Sequence, residues 1–364
     1  LDPTATSMTG WSSSLSAGKI AGRWTIATDF FAQSPGFEVN DAGFSTEADE
    51  IFHGIIGSRR WLDPGDVFRR FTVSSSFAQT WNFGGVNTSQ SVYLGANGQL
   101  LNYWSFNLSG NYILRTLSDA TTRGGPLMTR PRAWSANASV SSDRRKPASG
   151  SVFGYYSRNE EGGWVMQAGP SMTLRPSGAV DLNLSLNYGA SHSMAFYVAQ
   201  RADATASATY GRRYLFSELE QKSLDATLRA DLALTPSLSI QWYAQPYIAT
   251  GDYEGFKELA RPRSFEFLRY GQDGASTLAY DQAQSTYTAD PDGVGAAPAI
   301  RFGNPDFSFR SLRSNLVVRW EYRPGSTVFL VWNHGRAGSS SSGTKLVPSQ
   351  CGGTGRPHSS HSDG

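Results

Sequence analysis

The sequence predicts an all-β fold of antiparallel strands closed into a transmembrane, outer-membrane β-barrel, with roughly 16 strands visible in what reads as a fragment of a larger barrel. Three observations carry this prediction. Apolar and polar residues alternate one by one over long stretches, short and long connections alternate along the chain, and glycine and aromatic residues are abundant while apolar content is low.

Residues 180–188 read Val-Asp-Leu-Asn-Leu-Ser-Leu-Asn-Tyr, apolar at even numbers and polar at odd ones. Successive side chains on a strand point to opposite faces, so this order makes one face apolar and the other polar. The same rhythm runs through 104–114, 134–141, 224–234 and 238–243. Soluble strands average about five or six residues, whereas a tilted strand crossing a bilayer needs about 9 to 11. On this reading Val180, Leu182, Leu184, Leu186 and Tyr188 meet lipid, and Asp181, Asn183, Ser185 and Asn187 face the interior.

Turn residues place short connections at 18–22, 63–66, 95–99, 143–149, 175–178, 201–204, 236–237 and 323–326. Longer ones fall between them at 34–50, 84–90, 116–130, 159–163, 189–193, 211–221 and 251–308. Outer-membrane barrels segregate loop length in this way, with short periplasmic turns and longer external loops. The stretch 251–308 is too long for a simple connector and is expected to form a folded cap or constriction loop. The first connection is already short and the pattern stops after Trp332 on the opposite side, so at least one further strand is expected at each end.

Hydrophobic content is 39%, with 38 Gly, 10 Trp, 16 Tyr and 20 Phe, a composition suited to tight turns and interfacial aromatic girdles. The 32 basic residues nearly cancel the 30 acidic ones, which gives no electrostatic footprint for nucleic acid. A single cysteine, Cys351, excludes an internal disulfide and a cysteine-based zinc cluster. No apolar run reaches the roughly 18 residues of a spanning helix. The start, Leu1-Asp2-Pro3, has neither an initiator Met nor a signal peptide and reads as a fragment or a processed end. From Gly338 the chain turns Gly/Ser-rich, so the organisation expected is a barrel region over 1–337 and a disordered tail over 338–364.

Two stretches resemble a known family. Ser34-Pro-Gly-Phe-Glu-Val-Asn-Asp-Ala-Gly-Phe44 and the run from Asn304-Pro-Asp-Phe-Ser-Phe-Arg to Trp320-Glu-Tyr-Arg-Pro-Gly-Ser-Thr327 are similar to the C-terminal part of the bacterial family named domain of unknown function 5916. Thr9-Gly10-Trp11 fits the segment before them, so the likeness spans about Met8 to Ala337. The resemblance implies an outer-membrane β-barrel whose longer members carry more strands upstream and a domain similar to family 9 carbohydrate-binding modules. It names no activity.

Within the 307–321 stretch, Phe307, Phe309, Leu312, Leu316, Val318, Trp320 and Tyr322 supply the apolar side, with a change of phase near Ser311. Arg319 and Glu321, with Asp225, Arg229 and Asp231 from an earlier strand, are the candidate lumen-lining charges; a salt-bridge ladder is the structural alternative. Phe37, Glu38, Asn40, Asp41 and Phe44 are the external-loop binding candidates, because loops carry function more often than walls do.

Catalytic chemistry finds little support. Ser191 and His192 are adjacent on a strand and point apart, and no Gly-x-Ser-x-Gly elbow or phosphate-binding loop occurs. Asp290-Pro-Asp292-Gly293 matches part of a calcium loop without its downstream glutamate, and His358 and His361 fall in the expected tail. The expectation is a non-enzymatic protein of the bacterial outer membrane, without metal or cofactor, that passes or helps import a solute. The alternative is a non-conducting surface barrel that binds polysaccharide or protein through its external loops. Partners expected are outer-membrane lipid, a glycan or small solute, and a periplasmic or surface protein.

Overall fold

The computed structural model describes residues 9–38 and 48–340. Its strands are β1 (Ser12–Lys19), β2 (Trp24–Gln33), β3 (Glu50–Trp61), β4 (Phe68–Trp81), β5 (Asn87–Leu100), β6 (Ser105–Ile113), β7 (Thr116–Ser118), β8 (Met128–Arg130), β9 (Ala133–Ser141) and β10 (Ala148–Asn159). They continue as β11 (Trp164–Ser177), β12 (Val180–Ala202), β13 (Arg212–Thr235), β14 (Leu238–Leu259), β15 (Phe267–Arg269), β16 (Thr277–Asp281), β17 (Thr286–Asp290), β18 (Ile300–Gly303), β19 (Phe307–Arg323) and β20 (Ser326–Ser340). Among the described residues the sole helical element is a 3-10 turn at Ser207–Thr209.

The chain is therefore all-β and antiparallel. Fourteen strands follow one another in a single sheet, in the order β1-β2-β3-β4-β5-β6-β9-β10-β11-β12-β13-β14-β19-β20, with β15 added beside β14. Each strand pairs with its chain neighbour, so alternate connections collect at opposite ends. One end carries the turns at 20–23, 62–67, 101–104, 142–147, 178–179, 236–237 and 324–325; the other carries 34–49, 82–86, 114–132, 160–163, 203–211 and 260–306. We call these the short and long ends.

The sheet is open among the described residues. β1 and β20 form its edges and share no ladder, where the sequence predicts a closed barrel.

Two predicted loops are strand instead. Residues 189–193 lie inside β12, where 189–192 pair with both β11 and β13 and Ser193 with β13, and most of 211–221 lies inside β13. Fourteen strands thus replace the roughly sixteen expected. The polar, Gly-bearing sequence ends the apolar alternation there, yet backbone pairing does not need it. The predicted turn at 95–99 is likewise part of β5, and the chain turns at 101–104. The 251–308 stretch is shorter than expected as a loop, since β14 runs to Leu259 and β19 starts at Phe307.

Register fixes the faces. Leu182 pairs with Leu174 on one side and with Ala230 on the other, and the series continues through Trp242, Leu316 and Trp332. On the far side of the sheet Leu94, Gly110, Ala136, Tyr156 and Met166 form one cross-strand row. The apolar residues of these rows accordingly share one face. That face is the exposed one: along β9, Trp134, Ala136, Ala138 and Val140 are exposed while Ser135, Asn137, Ser139 and Ser141 are half-buried. The polar side is the less exposed one along this strand, the inverse of a soluble sheet on a hydrophobic core.

Aromatics gather near both ends of the apolar face. Tyr112, Trp134 and Trp164 stand in one row toward the long end, and Trp24, Trp61, Trp104 and Trp320 lie toward the short end. Between them are Leu94, Leu108, Val152, Leu184 and Leu186, each at least 39% exposed.

Candidate functional site

Two features could carry function: the polar face, and a folded cap at the long end. The polar face divides by charge. β5, β6 and β9 contain no charged residue, and the sole charge on β10, Arg158, falls on the apolar face. Their polar-face rows are Gln99, Ser105, Ser141 and Ser151; then Asn97, Asn107 and Ser139; then Ser109, Asn137 and Tyr155. This is a continuous wall of hydroxyls, amides and phenol rings. Glycines make room for the rings: Tyr93 lies across Gly95, and Phe153 across Gly169.

Charge on this face lies to either side of that wall, at Arg60 and Arg70 on β3 and β4 and on β11–β13 and β19. Asp225, Arg229 and Asp231 share the polar face with Arg319 and Glu321, because Arg229 pairs with Tyr243, which pairs with Asn315, and Asp231 leads in the same way to Val317. Asn187 donates to Asp225 at 3.1 Å, and Arg319 lies 3.4 Å from Glu321. Arg229 stands over the Tyr243 ring at 5.9 Å. Asp231 is opposite Asp181, which accepts from Arg175 at 2.8 Å and from Asn183 at 2.7 Å. The ladder is thus partial, with Arg229 held by a ring.

The phase change near Ser311 is a change of face. Phe307 and Phe309 lie on the polar side, Phe307 covering Gly251, whereas Leu312, Leu316, Val318, Trp320 and Tyr322 lie on the apolar side of one unbroken register.

At the long end β12, β13 and β14 extend well past the apolar belt, to 23, 24 and 22 residues. β13 carries no extra residue against its partners from Arg212 to Ala233, so Leu215 points to the polar side and Phe216 to the apolar side. Leu215 packs with Phe256, Tyr270, Ala289 and Ile300, the last two belonging to a separate sheet of β16, β17 and β18. Phe216 packs with Tyr214, Leu259 and Met128, the last from the β7–β8 hairpin. Both faces of the extension are therefore covered, and the 260–306 segment is folded.

A buried ion network joins these parts. Arg213 donates to Asp203 at 2.5 Å, to Glu258 at 2.5 Å and to Thr205 at 3.0 Å, while Tyr270 donates to the other Glu258 oxygen at 2.8 Å. Burial acts to raise Asp203, but hydrogen bonds from Arg213 and Thr205 outweigh it and hold the carboxyl below its usual range. Burial, reinforced by the Glu258 charge, pushes the Tyr270 phenol up, so it stays a donor. On the other face Lys257, 2% exposed, donates to Glu218 at 3.2 Å and lies 5.0 Å from the Phe267 ring. The sequence hid this network because its members are 67 positions apart at the extremes, from Asp203 to Tyr270, and no local motif links them; the one trace was charge placed next to Tyr214 and Leu259.

The remaining candidates are separate. Phe37 donates its amide to the Ser34 carbonyl at 3.0 Å, closing the turn at Pro35-Gly36; Glu38 follows it, and Asn40, Asp41 and Phe44 lie outside the described residues. Cys351, His358 and His361 also lie outside them. Ser191 and His192 occupy opposite faces of β12, His192 being 3.6 Å from Glu218. Asp290 accepts from the amides of Asp292 and Gly293 at 3.2 and 2.8 Å, which accounts for that motif as a turn.

An antiparallel meander sheet with an exposed apolar face, a polar face and a capped end defines the structural class. A family model described as Domain of unknown function (DUF5916) matches residues 2–346, and the chain belongs to that family. No curated protein and no solved structure matches it.

Proposed function

We propose that this chain forms the wall of a bacterial outer-membrane β-barrel that passes or helps import a solute, its apolar face against lipid and its polar face lining the lumen. One observation carries the reading: on inner strands such as β6 and β9 the exposed residues, Leu108, Tyr112, Trp134, Ala136, Ala138 and Val140, are those of the apolar face. Soluble monomers rarely leave a contiguous apolar patch beyond about 300–600 Å². The aromatic residues near both ends of that face have the arrangement of interfacial girdles. The charge-free wall of β5, β6, β9 and β10 favours an uncharged, hydrogen-bonding solute.

Refolding into detergent tests the membrane assignment. Heat-modifiable gel mobility is the expected outcome, and a compact monomer stable in water without detergent rejects it. Planar-bilayer recording then reads permeation. A second reading has its own support in the β16–β18 sheet packed on the polar side: a capped, non-conducting barrel that presents its long-end loops to a polysaccharide or protein. Steady conductance favours the first; a silent, correctly inserted protein favours the second.

A further inference from the structure

We propose that Arg310 and Arg336 form a site on the apolar face for the phosphate headgroup of an anionic membrane lipid, an inference that rests on that face meeting lipid. Arg310 pairs with Gly338 and Leu312 with Arg336, so the two arginines are diagonal cross-strand neighbours on one face, about 7–8 Å apart by ladder geometry. Both are exposed. Their partners on that face are Ile248, Ser308, Leu312, His334 and Gly338, with no carboxylate among them. Of the other cations toward the long end of the same face, Lys222 is neutralised by Glu220 at 2.5 Å, and Lys257 and Arg269 by Glu218 at 3.2 and 3.8 Å.

Two like charges on a sheet diagonal repel, and an anion held between them reverses the sign of that interaction. A phosphate fits best, because the planar guanidinium presents paired donors matched to its oxygens. Space for it exists beside Arg310, where a Cβ on Gly338 would meet no atom within 4 Å. The pair also sits where headgroups belong. Toward the short end the face continues with Leu312, Leu316, Trp332 and Leu330, and toward the long end β20 continues with Gly338 and Ser340. Trp332, 51% exposed, stands two pairs from Arg336 on the same face and suits the interfacial level beneath such a headgroup.

The test reconstitutes the full chain in phosphatidylcholine vesicles and measures association of spin-labelled phosphatidylglycerol against spin-labelled phosphatidylcholine. Wild type is expected to prefer the anionic lipid. R310Q and R336Q should each lower that preference roughly fivefold at most, and the double variant should abolish it, with only partial recovery in R310K/R336K, where an ammonium restores the charge without the paired donors. An unchanged preference in the double variant overturns the site, as does displacement of the labelled lipid by inorganic phosphate as effective as that by phosphatidylglycerol. Failure of wild type to enter phosphatidylcholine vesicles overturns the membrane reading, whereas insertion without headgroup preference overturns this site alone.

Discussion

Glu160 shows how one side chain can order a loop at the long end. Its carboxylate receives Arg115 at 2.8 Å, the Arg132 amide at 3.0 Å and the Arg132 guanidinium, and so binds both ends of the 114–132 connection to the 160–163 turn. The Arg115 hydrogen bond first, then those from Arg132, hold its pKa down to about 2 from an ordinary 4.5. A carboxyl depressed in the folded state contributes stability above its unfolded pKa and loses it as pH falls through the folded one. Amide exchange around Arg115 and Arg132, corrected for intrinsic rate, should therefore quicken between pH 4.5 and 2. Glu160→Gln should show the fast exchange already at neutral pH, with a flat profile. Arg213 differs in having two buried carboxylates, Asp203 and Glu258, as partners. Arg213→Ala leaves Asp203 and Glu258 facing each other without a cation, and breaking a buried pair this way costs about 3–5 kcal/mol. Limited proteolysis of 260–306 reads the loss: cleavage should rise sharply there and stay unchanged in the turns of the short end.

Strand existence was legible in the sequence and strand length was not, and β12 shows why. From Val180 to Tyr188 the outer side is apolar, so composition reports the period. Beyond Gly189 that side reaches the polar part of the molecule, and the residues no longer need to alternate in hydropathy while the ladder to β13 continues to Ala202. Gly189 and Gly211 then looked like breakers, and one strand read as two. The extension bends where β14 has one residue more than β13, between Glu254 and Lys257, and Gly255 sits there at φ +58°. This is bulge geometry that favours glycine. Gly255→Ala should destabilise the long end by about 1–2 kcal/mol, the cost of the left-handed region for an L-residue. Faster exchange confined to 256–259 and 267–270 checks it, and unaltered exchange there would place the strain elsewhere.

Over the whole molecule, the face of each predicted wall residue could be read from parity alone: Asp225, Arg229, Asp231, Arg319 and Glu321 share one side because no bulge intervenes between their β14 partners. The separation of charge could not be read this way. It needs the pairing order, which sets the charge-free β5, β6, β9 and β10 side by side and gathers Arg175, Asp181 and the later charges on the strands that follow. The cap was foreseen only as a segment too long to be a connector, since its core draws Leu215, Phe256 and Ala289 from distant parts of the chain.

Exposed apolar residues mean opposite things in water and in lipid, and neighbouring positions on β6 separate the two. Leu108 is 50% exposed on the apolar face, and Ser109, the next residue, is half-buried on the polar face. If the apolar face meets lipid, Leu108→Arg should cost about 2–4 kcal/mol, the penalty for a cation on a barrel's lipid face near the bilayer midplane. Ser109→Arg, entering a hydrated lumen, should cost much less. In water the order reverses, because replacing an exposed leucine with arginine removes apolar surface from solvent while arginine at Ser109 must fit a half-buried site. Urea unfolding of both variants from phospholipid vesicles reads the difference directly. A penalty for Leu108→Arg no larger than that for Ser109→Arg would remove the physical basis for placing this face in a membrane.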